Sequence, residues 1–365
     1  MFKRLKFDFA LLGAVLFLTA LSLLVIYSFA SSGVQESLGM SFFYKQLLAV
    51  VIGIGLMTVL YFYDYRVLLK SSTRVYFLAL TLLVLVVILG KTIRGTTGWL
   101  SIGFFNFQPV EAVKIIMIIF LASFLSKKRT EMGIKTRIFV SLALTSIPVF
   151  LVLRQPDLGS SLIIIFIWLG MILASRIGKK NIAILGTVGT LLVFGAFFFL
   201  ENYQVERLKN FIDPFKDPRG SGYNVIQSMV AVGSGGFWGK GLGHGSQSQL
   251  NFLPEKHTDF IFAAISEELG FLGAFLVILA FLVILYRMRE IGSLSRDNFG
   301  YLMVVGAMVL IFSQTFINIG MNLGMAPVTG VPLPFLSYGG SATVANLVLV
   351  GIVLNIHAKK IRTLD

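Results

Sequence analysis

Residues 107–129 read FQPVEAVKIIMIIFLASFLSKKR: a polar opening, an apolar stretch and a basic stop. With its flanks the apolar part is long enough to approach the ~30 Å of a bilayer's hydrocarbon at about 1.5 Å per residue. Lys127, Lys128 and Arg129 close it in the manner of a cytoplasmic boundary, where cations are retained. Two charges remain inside the run. Glu111 and Lys114 stand three residues apart, so a helix places them on one face and able to pair.

The same pattern recurs along the chain. Apolar runs at 9–30, 46–63, 76–90, 111–126, 138–153, 158–175, 182–200, 259–286, 300–322 and 343–357 predict an all-α polytopic membrane protein with ten transmembrane helices. A hydrophobic content of 56% and a mean hydropathy of +0.86 exceed what a soluble core absorbs. The net charge of +14 does not mark a nucleic-acid binder, because the cations sit in short clusters between apolar runs. Of the 31 Lys and Arg residues, 20 fall at the two termini and after helices 2, 4, 6 and 8. That census predicts both termini cytoplasmic and a large outer loop, 201–258, between helices 7 and 8. The first run exceeds the ~7–15 residue core of a cleaved signal and reads as a retained span. The absence of cysteine excludes disulfides, thiol catalysis and zinc fingers. Residues 1–365 read as a single transmembrane domain without internal repeats.

Two outer segments carry structure of their own. YNVIQSMVAV, 223–232, predicts a short helix lying in the interface. Residues 323–342 hold no charge but include Pro327, Pro332 and Pro334, which predicts a re-entrant loop at membrane depth.

Charges inside hydrocarbon are retained for a cavity, a partner or a reaction. Helices 4, 6 and 8 all open on the outer side, so Gln108, Glu111, Lys114, Arg154, Asp157 and Asp259 are expected at one level, lining one outer cavity. Plainer roles compete: an ion pair joining helices for Glu111 and Lys114, and an N-cap for Asp157 with Pro156 in the first turn. Thr258 is expected to cap helix 8, leaving Asp259 at the positive end of the helix dipole, which favours its ionised form. Glu267 and Glu268, about 12–14 Å further along, read as packing or a wet cavity rather than chemistry. The three histidines, His244, His257 and His357, have no metal-binding spacing, and GSGGFWGKGLGHG, 233–245, lacks the arrangement of a nucleotide loop.

Longer strings carry a resemblance: FQPVEAVK (107–114), QPDLGSS (155–161), FIDPFKDPRGSGYNVIQS (211–228), SQLNFLPEKHTDFIFAAISEELGFLG (248–273) and PVTGVPLPFLSYGGSA (327–342). In this order they make the chain resemble, over essentially its whole length, the SEDS family (shape, elongation, division and sporulation), and its elongation branch more than its division branch. Val110 and Gly98 depart from the family pattern, where serine and arginine are common. The resemblance implies a peptidoglycan glycosyltransferase that polymerises lipid II, with inversion, at the outer face of a bacterial cytoplasmic membrane during cell elongation. Asp259 would be the catalytic carboxylate, with Glu111 and Lys114 orienting it or balancing charge. Arg94, Arg154 and Lys256 are expected at the substrate diphosphate, and Gln108, Asp157, His257 and Ser337 around the rest of the substrate. A divalent cation, magnesium or manganese, is implied without a ligand set in the sequence. The implied partners are lipid II and undecaprenyl-pyrophosphate-linked glycan, a class B penicillin-binding protein that supplies the transpeptidase, other elongation-complex proteins and membrane lipids, with no nucleic acid. Two other readings compete. A lipid II flippase would show polar residues at several depths, and a non-catalytic scaffold for wall synthesis would not need Asp259.

Overall fold

The computed structural model describes residues 7–31, 36–93, 95–102, 105–127, 132–175, 177–178, 180–187, 189, 202–218, 220 and 222–361. Among them, eight helices are long and apolar enough to cross a membrane: α1 (Phe9–Ser31), α2 (Glu36–Phe62), α3 (Arg66–Leu89), α4 (Pro109–Lys127), α5 (Ile134–Leu153), α10 (Ile261–Ser293), α11 (Asn298–Asn322) and α12 (Gly340–Ile361). A shorter apolar helix, α6 (Leu158–Ala174), matches the expected run 158–175. The expected run 182–200 lies mostly outside the described residues, of which 180–187 are helical. The protein is therefore a mostly helical, polytopic membrane protein.

The crossover from α3 to α4 corrects the all-α expectation. Strands β1 (Lys91–Ile93), β2 (Thr96–Ile102) and β3 (Phe105–Phe107) form an antiparallel meander, pairing Lys91 with Trp99 and Ser101 with Asn106. Threonine, tryptophan and isoleucine suit a pleated surface, and Gly95 turns the first hairpin at φ +78°. The meander docks on the start of α6, where the Thr97 N–H donates to the Gln155 carbonyl at 3.3 Å.

Helices α4, α11 and α12 form the centre: 78%, 61% and 67% of their spans are buried, against 28% for α2, α3 and α5. Small residues bring the backbones together, as lipid-embedded helices require. A Cβ added to Gly306 of α11 would lie 2.6 Å from Ile118 of α4, and one on Gly351 of α12 would lie 2.6 Å from the Met57 carbonyl of α2. Asp297 caps α11 by accepting the Gly300 N–H at 2.7 Å. At the bundle end opposite the meander, Arg287 clasps Asp8 at 2.7 Å and Lys359 reaches Asp64 at 3.0 Å. Burial alone would raise the Asp8 carboxyl, but hydrogen bonds from Arg287 and the Leu11 N–H outweigh it and hold it below the ordinary range.

Between α6 and α10 lie α7 (Asn202–Ile212), a 3₁₀ turn (Pro214–Lys216), α8 (Tyr223–Ser234) and the single turn α9 (Ser246–Gln249). Helix α8 contains the whole expected segment 223–232. The loop that follows it enters a break in α10. Gly270 has φ 65° and ψ −162°, outside helical space, and divides α10 into 261–269 and 271–293. The freed backbone groups find partners in the loop: Phe271 N–H to the Gly236 carbonyl at 2.8 Å, and Lys240 and Gly241 N–H to the Glu267 and Glu268 carbonyls at 3.0 and 2.9 Å. Such replacement is obligatory at membrane depth, where no water supplies it. Only glycine fits here, since a Cβ at 270 would come 2.3 Å from the Gly239 nitrogen.

Candidate active site

Asp259 is half-buried and lies two residues before α10 begins, so the expected cap is corrected. The Thr258 hydroxyl turns back to the Glu255 carbonyl and carboxylate at 3.3 and 3.0 Å. The cap is supplied instead by another helix: the Asn322 Oδ1 accepts the Ala263 N–H at 3.0 Å. With α10 displaced to Ile261, Asp259 stands in front of the first turn rather than within it.

The loop between α11 and α12 organises the site. Residues 323–339 are irregular, and Val331, Leu333, Phe335, Leu336 and Ser337 are buried, which suits a segment lining protein rather than crossing water. Gly330, at φ +73°, lies against the Asp259 carboxylate; a Cβ there would sit 3.7 Å from Oδ2. Ser337 donates to the Thr258 carbonyl at 2.6 Å and accepts the Leu333 N–H at 2.8 Å. Its hydroxyl is thus buried and engaged, in a tie between this loop and the segment that holds Asp259. Tyr338 N–H donates to the His257 carbonyl at 2.7 Å. The same loop touches α6, where a Cβ on Gly159 would meet the Thr329 carbonyl at 2.8 Å, and at the start of α12 Ser341 accepts the N–H of Gln108, the residue before α4, at 3.0 Å. Asp259, the start of α6 and the start of α4 are therefore joined through residues 329–341.

The remaining expected residues divide. Glu111 and Lys114 pair at 2.7 Å with exposures of 4% and 1%, a buried ion pair within the first two turns of α4. Asp157 caps α6, its Oδ1 accepting the Ser160 N–H at 2.9 Å, and Pro156 precedes that cap rather than entering the first turn. Asp157→Asn keeps the cap and is expected to leave melting temperature and activity near wild type. Asp157→Ala is expected to lower stability by about 1 kcal/mol, readable as a lower melting temperature in detergent. Arg154 is exposed, with its guanidinium 5.0 Å over the Phe150 ring of α5 and not against Asp157. Lys256 is committed to the outer loop: it donates to the Ser248 carbonyl and to Asn251 and lies 5.1 Å over the Phe29 ring. Burial pushes its ammonium below the ordinary range, against the opposing pull of Glu268 and Glu267. Arg94 lies outside the described residues. Glu267 and Glu268, read as packing or a wet cavity, are both fully buried and hydrogen-bonded. Glu267 accepts from Lys240, Gln247 and Ser248, and Glu268 from Gln249, Ser28 and Ser248, stapling the loop to α10.

An apolar groove runs down the bundle beside this site. It encloses about 660 Å³ between α2, α4 and α12, lined by Ala49, Ile52, Ile116, Ile119, Val348 and Ile352, with Lys45, Trp99, Phe107 and Tyr338 toward the meander. His257 stacks on Phe42 at 4.8 Å and meets Tyr338 edge-on at 5.6 Å, and both of these rings line the groove. Two rings of the groove lining thus contact the residue two positions before Asp259.

Sequence reasoning passed over Asn318, Asn322 and Gln314, which fall at four-residue intervals on one face of α11 and are all fully buried. Asn318 and Asn322 donate to the Asp259 carbonyl at 3.1 and 3.0 Å. Counting outward from the Gly306–Ile118 contact, Gln314 is about 12 Å and Glu111 about 10 Å away, so they share a depth. Neither polar atom of the Gln314 amide has a partner among the described residues. Burying an unpaired amide costs about 1–3 kcal/mol, so Gln314→Met is expected to raise the melting temperature. A lowered one would show that the amide is satisfied in the membrane.

A half-buried carboxylate, an apolar groove and a buried ion pair within one helical bundle mark a polytopic membrane protein that keeps polar groups inside its apolar frame. More narrowly, the chain belongs to the Cell cycle protein family of FtsW, RodA and SpoVE, whose model matches residues 9–362. It is 36% identical over 358 residues to the peptidoglycan glycosyltransferase MrdB of Escherichia coli (strain K12), covering 98% of this chain and 95% of that protein. Among solved structures it is similar to a chain of a peptidoglycan synthase complex, described as coordinating polymerization and crosslinking, with a TM-score of 0.83 and 27% identity over 98% of this chain and 99% of that one. It is also similar to an aspartate-to-alanine variant of the rod shape determining protein RodA of Thermus thermophilus, with a TM-score of 0.73 and 26% identity over 98% and 99% of the two chains.

Proposed function

We propose that this protein is a peptidoglycan glycosyltransferase of the cytoplasmic membrane that polymerises lipid II at the outer face during cell elongation, with Asp259 as its catalytic carboxylate. The observation that carries the reading is the placement of Asp259: half-buried, with its carbonyl held by two buried asparagines, two residues after a histidine that packs on the Phe42 and Tyr338 rings of an apolar groove suited to a polyprenyl chain. The family and the MrdB likeness support the activity, and the rod-shape neighbour supports the elongation role. The topology that goes with it has ten spans, cytoplasmic termini and the 201–258 loop outside.

In the reaction, a sugar hydroxyl of the acceptor attacks the anomeric carbon of the donor. The new glycosidic C–O bond forms as the bond to the diphosphate oxygen breaks, with inversion, and undecaprenyl diphosphate leaves. Asp259 takes the hydroxyl proton, a general-base role that contributes typically ~10²–10⁴-fold. The groove holds the prenyl chain, which positions the diphosphate for Asp259, and Lys45 in the groove lining supplies a cation.

Among the described residues no three His, Asp or Glu side chains group closely enough for a resident metal site. Magnesium commonly takes one or two carboxylates and completes its shell with substrate phosphates and water, so Asp259 and the donor diphosphate together suit magnesium or manganese. Such an ion would neutralise charge on the leaving diphosphate. The partner that fits is a class B penicillin-binding protein, since the similar solved chain comes from a synthase complex that both polymerises and crosslinks. The test is glycan polymerisation by the full chain in liposomes, with its cognate partner, from labelled lipid II and magnesium. Long glycan is expected. Transfer of lipid II between leaflets without any glycan would favour the flippase.

A further inference from the structure

We infer that Asn318 and Asn322 are positioning residues for Asp259, and that Asn322 links them to the outer helix α8. The inference rests on the proposed role of Asp259 and adds the device that fixes its place. Asp259 has no regular structure of its own to hold it, because α10 begins only at Ile261. Its carbonyl is instead gripped from below by two amide groups of α11, Asn318 Nδ2 at 3.1 Å and Asn322 Nδ2 at 3.0 Å.

Each asparagine also holds a second part of the site. Asn318 Nδ2 donates to the Val331 carbonyl at 2.8 Å, next to the Gly330 against which the Asp259 carboxylate lies. Asn322 Oδ1 accepts the Ala263 N–H at 3.0 Å, so the residue that grips Asp259 also caps α10. The two asparagines are joined, Asn322 Nδ2 to the Asn318 carbonyl at 2.8 Å. Both are fully buried, which makes each amide's hydrogen bonds costly to lose and their geometry well defined. At the outer end, the buried Ser228 of α8 donates to the Asn322 carbonyl at 2.8 Å. A single ladder thus runs from α8 through Asn322 and Asn318 to the carbonyl of Asp259 and the loop beneath its carboxylate.

General-base catalysis is sensitive to placement, and a displacement of about 1 Å can cost 10²-fold in rate. The test measures lipid II polymerisation by the full chain in liposomes, with its cognate class B penicillin-binding protein in every reaction, for Asn318→Ala, Asn322→Ala and Ser228→Ala beside Asp259→Asn. The ladder predicts kcat lower by roughly 10- to 100-fold for the asparagine variants and by a few-fold for Ser228→Ala, with KM for lipid II within about twofold of wild type. If Asn322→Ala does not fold, Asn318→Ala and Ser228→Ala carry the test. Wild-type kcat in these variants, or a loss matched only by a smaller folded fraction, overturns the inference. With Asp259→Asn inert and the ladder variants at full rate, the ladder alone fails. An active Asp259→Asn removes the role of Asp259 and the ladder with it.

Discussion

Asp259→Asn is expected to reduce glycan synthesis by about 10³-fold or more while leaving the protein folded and able to take up lipid II. The substitution keeps size and polarity but removes the basic oxygen pair. Both main-chain bonds that hold residue 259 go to its carbonyl, so they survive the change. The Gly330 contact is with a side-chain atom that asparagine reproduces in shape. A loss of rate therefore reports proton transfer rather than collapse of the loop. The check pairs a polymerisation assay with a melting curve in detergent. A rate near wild type would remove the general base and direct attention to the scaffold reading.

The second large effect concerns the Glu111–Lys114 pair. Both side chains are withdrawn from solvent, at 4% and 1% exposure, and approach to 2.7 Å. Removing one partner leaves a charge in a low-dielectric interior, which destabilises by about 3–5 kcal/mol. Glu111→Gln and Lys114→Met are each expected to lower the melting temperature clearly. The double variant buries no charge, and such replacements are often neutral or stabilising, so its melting temperature is expected to return close to wild type. Its polymerisation rate is not expected to return, because the role the family resemblance implies for the pair, orienting Asp259 or balancing charge in its cavity, needs both charges. A double variant that recovers both stability and rate would reduce the pair to a helix joint.

The spans were legible because hydrocarbon thickness sets a length and a composition that apolar runs such as 9–30 and 300–322 satisfy without tertiary information. The Glu111–Lys114 spacing was legible for the same local reason, as was the Asp157 cap. What failed was long-range. Thr258 has the chemistry of a cap, but the cap comes from Asn322, sixty-odd residues away in sequence, and the helix start moves with it. Lys256 carries a charge suited to a diphosphate, but the turn at 248–251 takes its protons. Ser337 and Arg154 likewise turn to neighbours that no spacing reveals. The asparagines of α11 had a readable signal in their four-residue interval within an apolar span, yet uncharged amides draw less notice than carboxylates. The meander had one too, in the threonines, aromatics and glycines of 91–107.

The break at Gly270 bears on how the chain is built into the membrane. The first part of α10, 261–269, carries Glu267 and Glu268 and ends in backbone groups that the 236–241 segment completes. As an isolated insert it would present two carboxylates and a gap in its ladder to lipid. The segment that mends it lies upstream, so with the loop outside, synthesis delivers that segment to the far side before α10 arrives. The order of residues along the chain is then also the order of assembly, and a truncated or delayed loop should strand α10 as a poorly inserted helix open to quality-control proteolysis.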